Sequence, residues 1–441
     1  MKKSGSPLNK VIKPKIAIIG AGPMGLAVSY ELAKNGINNT IFESDDRLGG
    51  MAASFNFSGL EIERYYHFHC LSDYSFFELL KELNLYDQMK WVNTRMGFFY
   101  DNNLYKWGSP FSVLKFNKIS LFDRFRYLIH AVKCLLTNDW HYLDKLNAIP
   151  WLENWLGRKC YDVLWAKLFK YKFYSFSKNV SAAWIWSRIK RIGLSRANFK
   201  EKLGYLKGGS KKWISALEKY LRAENVDIRL NSSVKKISKN NKSVLITTDK
   251  NIVEEFDIVV STIPLPIAGQ ILKNGGAPYQ ITKKYSDQIS VGCICVIIET
   301  RFPVTNNFWT NINDDRFKIP GIIEFSNLRK LGKNITYIPF YMPRNMEEYS
   351  YSDNKFIEES IRCLKTINKN LVESDILNTH CSRYAYAQPV CGKNFKTSLP
   401  SINPLKNIWT ADTTIYYPED RGISESINYG RNMAKKIIDQ L

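Results

Sequence analysis

Six residues constrain this chain more than any others: Gly20-Ala21-Gly22-Pro23-Met24-Gly25. They join a β-rich run, Lys15 to Ile19, to a helix-periodic stretch, Ala21 to Lys34. Gly20 permits a tight turn, Gly22 lets backbone approach a pyrophosphate, and Gly25 lets the helix pack close to the strand. Phosphates would sit against the first helical turn, at Pro23 and Met24, where N–H groups and the helix dipole favour anions. Asn39 to Glu43 reads as a second strand, completing a βαβ unit. Glu43 lies 18 residues past Gly25, where a carboxylate accepts ribose hydroxyls. The glycine pattern alone is a weak signal. With strand, helix and acid all in place, the segment predicts a dinucleotide site.

The chain has 441 residues, enough for two packed domains with sizeable cores. Charged residues make up 24% and hydrophobic residues 45%, which excludes a largely disordered chain. The net charge of +22 favours anionic partners. Between Tyr105 and Arg222 there are 24 Lys/Arg and 7 Asp/Glu, so 24 − 7 = +17 of that charge sits in one stretch. Eight of the eleven tryptophans lie there too. A solvated domain with an ordinary aromatic core is the plain reading. A basic, aromatic surface facing something negative is the sharper one.

Eight cysteines in a chain this long form no disulfide framework or zinc motif, so buried free thiols in a reducing compartment are expected. Cys293 and Cys295 are two apart and share one strand face. No apolar segment approaches the ~20 residues of a membrane-spanning helix, and no secretory leader is evident. The chain is expected to be cytoplasmic, soluble or peripheral on the inner membrane face.

Residues 46–62 read as a loop and Leu71–Leu85 as a helix capped by Ser72 or Asp73. Leu104–Ile192 reads as helical, including one helix over Trp151–Phe169. Strands follow at Val226–Leu230, Val234–Ile237, Val244–Thr248 and Asp257–Ser261, and a strand-rich region spans Ile289–Tyr341. The end, Ile408–Leu441, reads strand, loop, helix.

Further along the chain, Ser44-Asp45-Asp46-Arg47-Leu48-Gly49-Gly50-Met51 follows the acid. An arginine and two glycines there suit a second loop against cofactor phosphates. This arrangement resembles the FAD fingerprint of the amine oxidase, phytoene desaturase and protoporphyrinogen oxidase superfamily. Gly59 to Phe68 resembles that family's segment past the flavin ring, and Gly208-Gly209 its GG turn before a helix. Asn231 to Ile237 is similar to the strand whose valine backbone, here Val234, contacts adenine. Ile408-Trp409-Thr410-Ala411-Asp412 resembles its terminal motif, with Ala411 where glycine is usual. The resemblance implies that Asp412 holds ribityl or phosphate oxygens, and that Gly422, Ile423 and Ser424 open a helix facing the flavin pyrimidine edge. Trp151 to Gly157, Ser181 to Arg188 and Tyr417 to Gly422 resemble landmarks of the protoporphyrinogen oxidase-like branch.

The fold implied is α/β. A Rossmann-type FAD domain comprises residues 14–90, 205–285 and 400–441. An inserted α+β cap, with a Trp- and Lys/Arg-rich helical subdomain, comprises 91–204 and 286–399. Residues 1–13 form a disordered basic tail. FAD is expected without a covalent link, because the glycine and tyrosine pattern around Cys391 does not match that of the cysteine-linked relatives. Only one GxGxxG follows a strand, so electrons enter from the substrate rather than from a second nucleotide.

His67, Tyr66 and Arg64 are the catalytic candidates, and His67 also the cofactor's neighbour. Each has a plainer reading: a structural histidine, core aromatics, and an arginine paired with Glu61 or Glu63. Trp309, Tyr337, Phe340, Tyr341, Tyr384 and Tyr386 are expected to line the substrate pocket. The function implied is hydride transfer from a hydrophobic, lipid-linked or phosphate-bearing substrate to flavin N5, at an anionic membrane face. Two alternatives stand beside it: a non-redox flavoenzyme on a nucleotide-linked sugar, like UDP-galactopyranose mutase, and an amine oxidase, which the basic charge disfavours. No motif supports nucleic-acid binding.

Overall fold

A computed structural model describes residues 14–197 and 200–441. The expected tail, residues 1–13, lies outside the described residues.

The strand Ile16–Ile19 is the middle strand of a parallel sheet. Its sequence, IAII, has three β-branched residues and is buried throughout, as a central parallel strand requires. It pairs in parallel with Asn39–Phe42 on one side and Ile258–Ser261 on the other. Asp227–Arg229 and Ile408–Thr410 complete a five-stranded parallel sheet. Helix Pro23–Lys34 packs against helix Ile423–Ile438, and Gly430 allows the approach, since a Cβ there would lie 2.5 Å from the Met24 carbonyl oxygen.

A second sheet has seven strands in the order Ile376–Pro389, Ser290–Thr300, Asn334–Met342, Gly321–Glu324, Trp309–Asn313, Met96–Tyr100 and Asn103–Trp107. Its pairs are antiparallel except that Trp309–Asn313 runs parallel to Met96–Tyr100. The strand Ser290–Thr300 is buried almost throughout. Cys293, Cys295 and Ile297 join one core, while Ile294, Val296 and Ile298 join another. The expected shared face of the two cysteines is therefore present. The described cysteines are all free, and Cys381 alone among them is not fully buried.

Three readings are corrected. The expected loop after Asp45 contains a hairpin, Ser54–Phe57 with Leu60–Glu63, because Ser58 and Gly59 both take the left-handed conformation of a two-residue turn. The helical stretch starts only at Pro110, because the left-handed pair Asp101-Asn102 folds Asn103–Trp107 back onto Met96–Tyr100. The helix over Trp151–Phe169 is three: Ala148–Leu156, Arg158–Leu164 and Ala166–Phe173. Gly157 breaks the first pair at φ +84°, and a side chain there would strike Arg126.

Within the helical layer, Leu121–Leu136 buries His130, whose ring lies 4.6 Å from that of Trp151. Burial pushes this imidazole down to about 4. The unfolded chain therefore binds a proton near pH 6.5 that the folded chain refuses until about pH 4, so this contribution to stability is lost as pH falls through that window. Urea unfolding at pH 7 and pH 4.5 should show His130→Phe losing less stability than the wild type, by roughly 2 kcal/mol.

Candidate functional site

The carboxyl end of the parallel sheet gathers the predicted glycine turns. Gly20 has φ +96°, and a Cβ on Gly25 would stand 1.9 Å from the Gly20 carbonyl oxygen. Strand and helix thus meet with no room for a side chain. Gly22 caps the helix in extended conformation, with open space where its Cβ would be. Pro23 and Met24 form the first turn, with Pro23 supplying no N–H of its own. A second glycine turn closes on the first. Gly49 (φ +113°) donates its N–H to the Ala21 carbonyl at 2.8 Å, and a Cβ on Gly50 would come within 3.2 Å of the Gly22 Cα. Met51 packs on the core beyond it.

Glu43 is buried at the end of its strand. It accepts from the Ala21 N–H at 2.7 Å and from the Asp45 N–H at 2.9 Å, while the Ser44 hydroxyl lies 3.2 Å away. A carboxylate has about four lone-pair sites, so Glu43 keeps acceptor capacity for a hydroxyl. Arg47 turns outward to Asp46 and donates to the Ser54 carbonyl at 3.0 Å. Val234 is buried at the start of its strand. Asp412 accepts from the Leu265 N–H at 2.9 Å and the Thr414 N–H at 2.7 Å, and burial raises its carboxyl. Gly422 caps the last helix, and a Cβ there would strike the Glu425 carboxylate. Ile423 and Ser424 are buried in its first turn, where the Ser424 hydroxyl accepts from the Phe76 N–H at 3.3 Å.

The three catalytic candidates part company. Arg64 pairs with Asp45, and not with Glu61 or Glu63, so its charge braces the second loop. Glu63 instead accepts from the Ser210 N–H at 2.6 Å and faces Arg329 at 3.5 Å. His67 borders a small internal cavity with Glu63, Gly209 and Arg329. Its Nδ1 is buried without a hydrogen-bond partner, and burial pushes its ring down to about 4. The imidazole is thus neutral at pH 7. Tyr66 sits edge-on to Trp309 at 5.6 Å and to Tyr337 at 6.1 Å, within hydrogen-bonding reach of Tyr341.

Strand alternation divides the expected pocket residues. Tyr337 and Tyr341 share the face toward Tyr66, and the Tyr337 hydroxyl donates to the Glu63 carbonyl at 2.8 Å. Phe340 points the other way, into the core around Phe356, at 5.1 Å ring to ring. Tyr384 lies opposite Cys293 and is partly buried against the Tyr66 side. Tyr386 carries its hydroxyl to Arg344, whose guanidinium covers its ring at 4.6 Å.

One group of residues was not foreseen. Lys172 is 4% exposed, and its ammonium nitrogen lies 5.0 Å over both Tyr341 and Trp184. Arg421 donates to the Tyr341 hydroxyl at 2.9 Å and to the Ala387 carbonyl. Arg188 pairs with Asp420. Burial pushes Asp420 up, but Arg188, Lys172 and Arg421 hold it down at about 2. Burial drives the Lys172 amine well below its ordinary range, and Arg188 adds to this. Nothing marks Lys172 out in the sequence WAKLFKYKFYSF, where two other lysines and several aromatics share its neighbourhood. Arg421 did have a signal, its place one residue before the helix cap.

Residues 25–384 match the profile of the flavin containing amine oxidoreductase family. A chloroplastic/mitochondrial protoporphyrinogen oxidase 2 of Arabidopsis thaliana is 46% identical over 46 residues, 10% of this chain and 9% of that protein. The chain therefore aligns with about a tenth of that relative's length. Two solved structures share the fold over nearly all their length at 17% identity and a TM-score of 0.75. One is an Exiguobacterium sp. 255-15 protein assigned provisionally as a protoporphyrinogen oxidase, covering 97% of this chain and 99% of its own. The other is a reduced UDP-galactopyranose mutase, covering 97% and 96%.

The residues present fit a flavin nucleotide: an open cradle at Gly22, an acid at the strand end, and a buried Asp412 just past the strand Ile408–Thr410 of the same sheet. Gly22→Val should leave the thermal unfolding midpoint unchanged, because its backbone angles suit any residue. The same variant should purify with at least about tenfold less flavin, since the new side chain fills the phosphate path. Absorbance of the purified protein in the visible checks both halves against a melting curve.

Proposed function

Because the chain belongs to the flavin containing amine oxidoreductase family, we propose that it is an FAD-dependent oxidoreductase acting on a hydrophobic or lipid-linked donor that carries an anionic group. The observation that carries this reading is the Lys172–Arg421–Tyr341 cluster. It combines buried cations with aromatic walls, Tyr66, Tyr337 and Trp309. Buried cations need anionic partners, and Asp420 alone is the near counter-charge among the three. A carboxylate or phosphate on the donor would complete the neutralisation.

Gly20, Gly22 and Gly25 would admit the cofactor's pyrophosphate to the helix N-terminus, Glu43 would receive ribose hydroxyls, and Val234 would meet the adenine through its backbone. Asp412 would hold ribityl or phosphate oxygens. The helix start at Gly422–Ser424 would present its N–H groups to the flavin pyrimidine edge. FAD, when bound, supplies the acceptor for a hydride. The binding is non-covalent, because the glycine and tyrosine pattern around Cys391 does not match that of the cysteine-linked relatives; burial pushes the Cys391 thiol up.

The protein's own contribution is placement. Arg421 fixes the Tyr341 hydroxyl, and Tyr66 and Trp309 wall off water. Lys172, against the Tyr341 ring, would orient the donor's anionic group. His67, neutral at pH 7, contributes shape and a hydrogen-bonding nitrogen rather than charge.

The decisive measurement is anaerobic mixing of the yellow protein with lipid, glycolipid, porphyrinogen and amine donors. Bleaching of the flavin band by an anionic lipid-linked donor is the expected result. A colourless protein that takes up no FAD overturns the reading. Lys172→Met should retain its flavin and lose about 10- to 100-fold in kcat/KM with an anionic donor, as expected for removing a charged hydrogen-bond partner. Stopped-flow reduction rates check this.

The Arg188–Arg421 pair also favours a second reading, in which the anionic group is the diphosphate of a nucleotide-linked sugar and the chemistry is not net redox. UDP-sugars would then perturb the spectrum of the reduced protein, and an unchanged spectrum sinks it.

A further inference from the structure

Helix Leu121–Leu136 presents a stripe of apolar residues to solvent. Its two buried residues are His130 and Cys134, bonded Sγ to Nε2 at 3.6 Å. Leu121, Phe122, Phe125, Ile129, Val132 and Leu136 are all exposed, Phe122 at 71% and Leu136 at 73%. With 3.6 residues per turn, these six fall within an arc of roughly 100°. Arg124 borders the arc on one side, and Arg126 and Lys133 on the other. Phe111, in the preceding helix Pro110–Lys115, is 70% exposed. At the far end the stripe continues through exposed Ile192 and Leu194, whose intervening Gly193 packs against Leu135.

Contiguous apolar surface of this kind marks an interaction site. We propose that this face docks on an anionic lipid bilayer, with the helix lying in the interface and its stripe turned into the acyl region. Charge selects the bilayer over a second copy of the chain. From Leu104 to Lys145 there are seven Lys/Arg and three Asp, so 7 − 3 = +4. Two copies meeting here would oppose like charges, whereas anionic headgroups would neutralise them. Apolar centre and cationic borders are the pattern of helices that lie in a membrane surface. The helix, 16 residues long, is too short to cross. No described helix is long and apolar enough to cross a membrane.

This deepens the lipid-linked reading but rests on different residues, so each can fail alone. The full-length, flavin-loaded protein is sedimented with vesicles of phosphatidylcholine, or of phosphatidylcholine and phosphatidylglycerol at 3:1, at low and high salt. The wild type should pellet with the anionic vesicles, more weakly as salt rises. The triple variant Phe122→Ser/Phe125→Ser/Ile129→Ser should lose at least about tenfold in partitioning, with flavin absorbance and melting point unchanged because all three side chains are already in water. Lys115→Glu/Lys133→Glu should weaken binding at low salt only. A wild type that pellets with neither vesicle overturns the proposal. So does a triple variant that binds as well as wild type. So does light scattering showing a wild-type dimer that the triple variant splits, which would assign the face to a second copy.

Discussion

The contact on which the rest of the structure depends is the approach of Gly25 to the carbonyl of Gly20. It brings the first helix so close to its strand that even a methyl group is excluded. The helix N-terminus is thereby aimed over the sheet edge, beside the buried Glu43. Glu43 in turn accepts the Ala21 N–H, tying the two strands' ends into one rim. The Gly49–Gly50 turn closes onto that rim, and Arg64 with Asp45 braces it from outside. A substitution at Gly25 would act on all of these together, because each takes its position from the previous one.

The pocket is tied to this rim through the segment Asp412 to Gly422. Its Tyr417 hydroxyl donates to Asp144 at 2.6 Å and lies 2.6 Å from the Ser181 hydroxyl, so both ends of the helical layer are fastened to it. Asp420 reaches Arg188 in the same layer, and Arg421 reaches the mixed sheet through Tyr341 and Ala387. One loop thus touches every layer of the molecule. That explains how a cation cluster can be assembled from a helix, a sheet and a terminal loop.

Much of the nucleotide cradle could be read from the sequence, because its chemistry is local: glycines fix turns, and the acid follows at a set distance. The hairpin at Ser54–Glu63 escaped because its turn, Ser58-Gly59, lacks the Asn-Gly or Asp-Gly signature. Phe340 was grouped with Tyr337 and Tyr341 by proximity in the chain, although period-two alternation already set it on the opposite face. Lys172 was beyond reach for a different reason. Its significance comes from burial beneath Tyr341 and Trp184, contacts across 169 and 12 positions that no local pattern encodes. The outward stripe of Leu121–Leu136 has ordinary helical periodicity. Sequence alone could not say which side of that helix faced the core.

The strand order of the parallel sheet has a consequence for how the chain is made. Ile16–Ile19 lies between Asn39–Phe42, which follows at once, and Ile258–Ser261, which is synthesised some 240 residues later. At a ribosomal rate of about 5–20 residues per second, one edge of this fully apolar strand waits on the order of 10–50 s for its neighbour. Ile408–Thr410, the outermost strand on that side, arrives later still. During that interval the nascent chain carries an open, hydrophobic β-edge. The molecule is therefore expected to depend on chaperone cover during synthesis, and its yield to respond to translation rate more than to the stability of the finished fold.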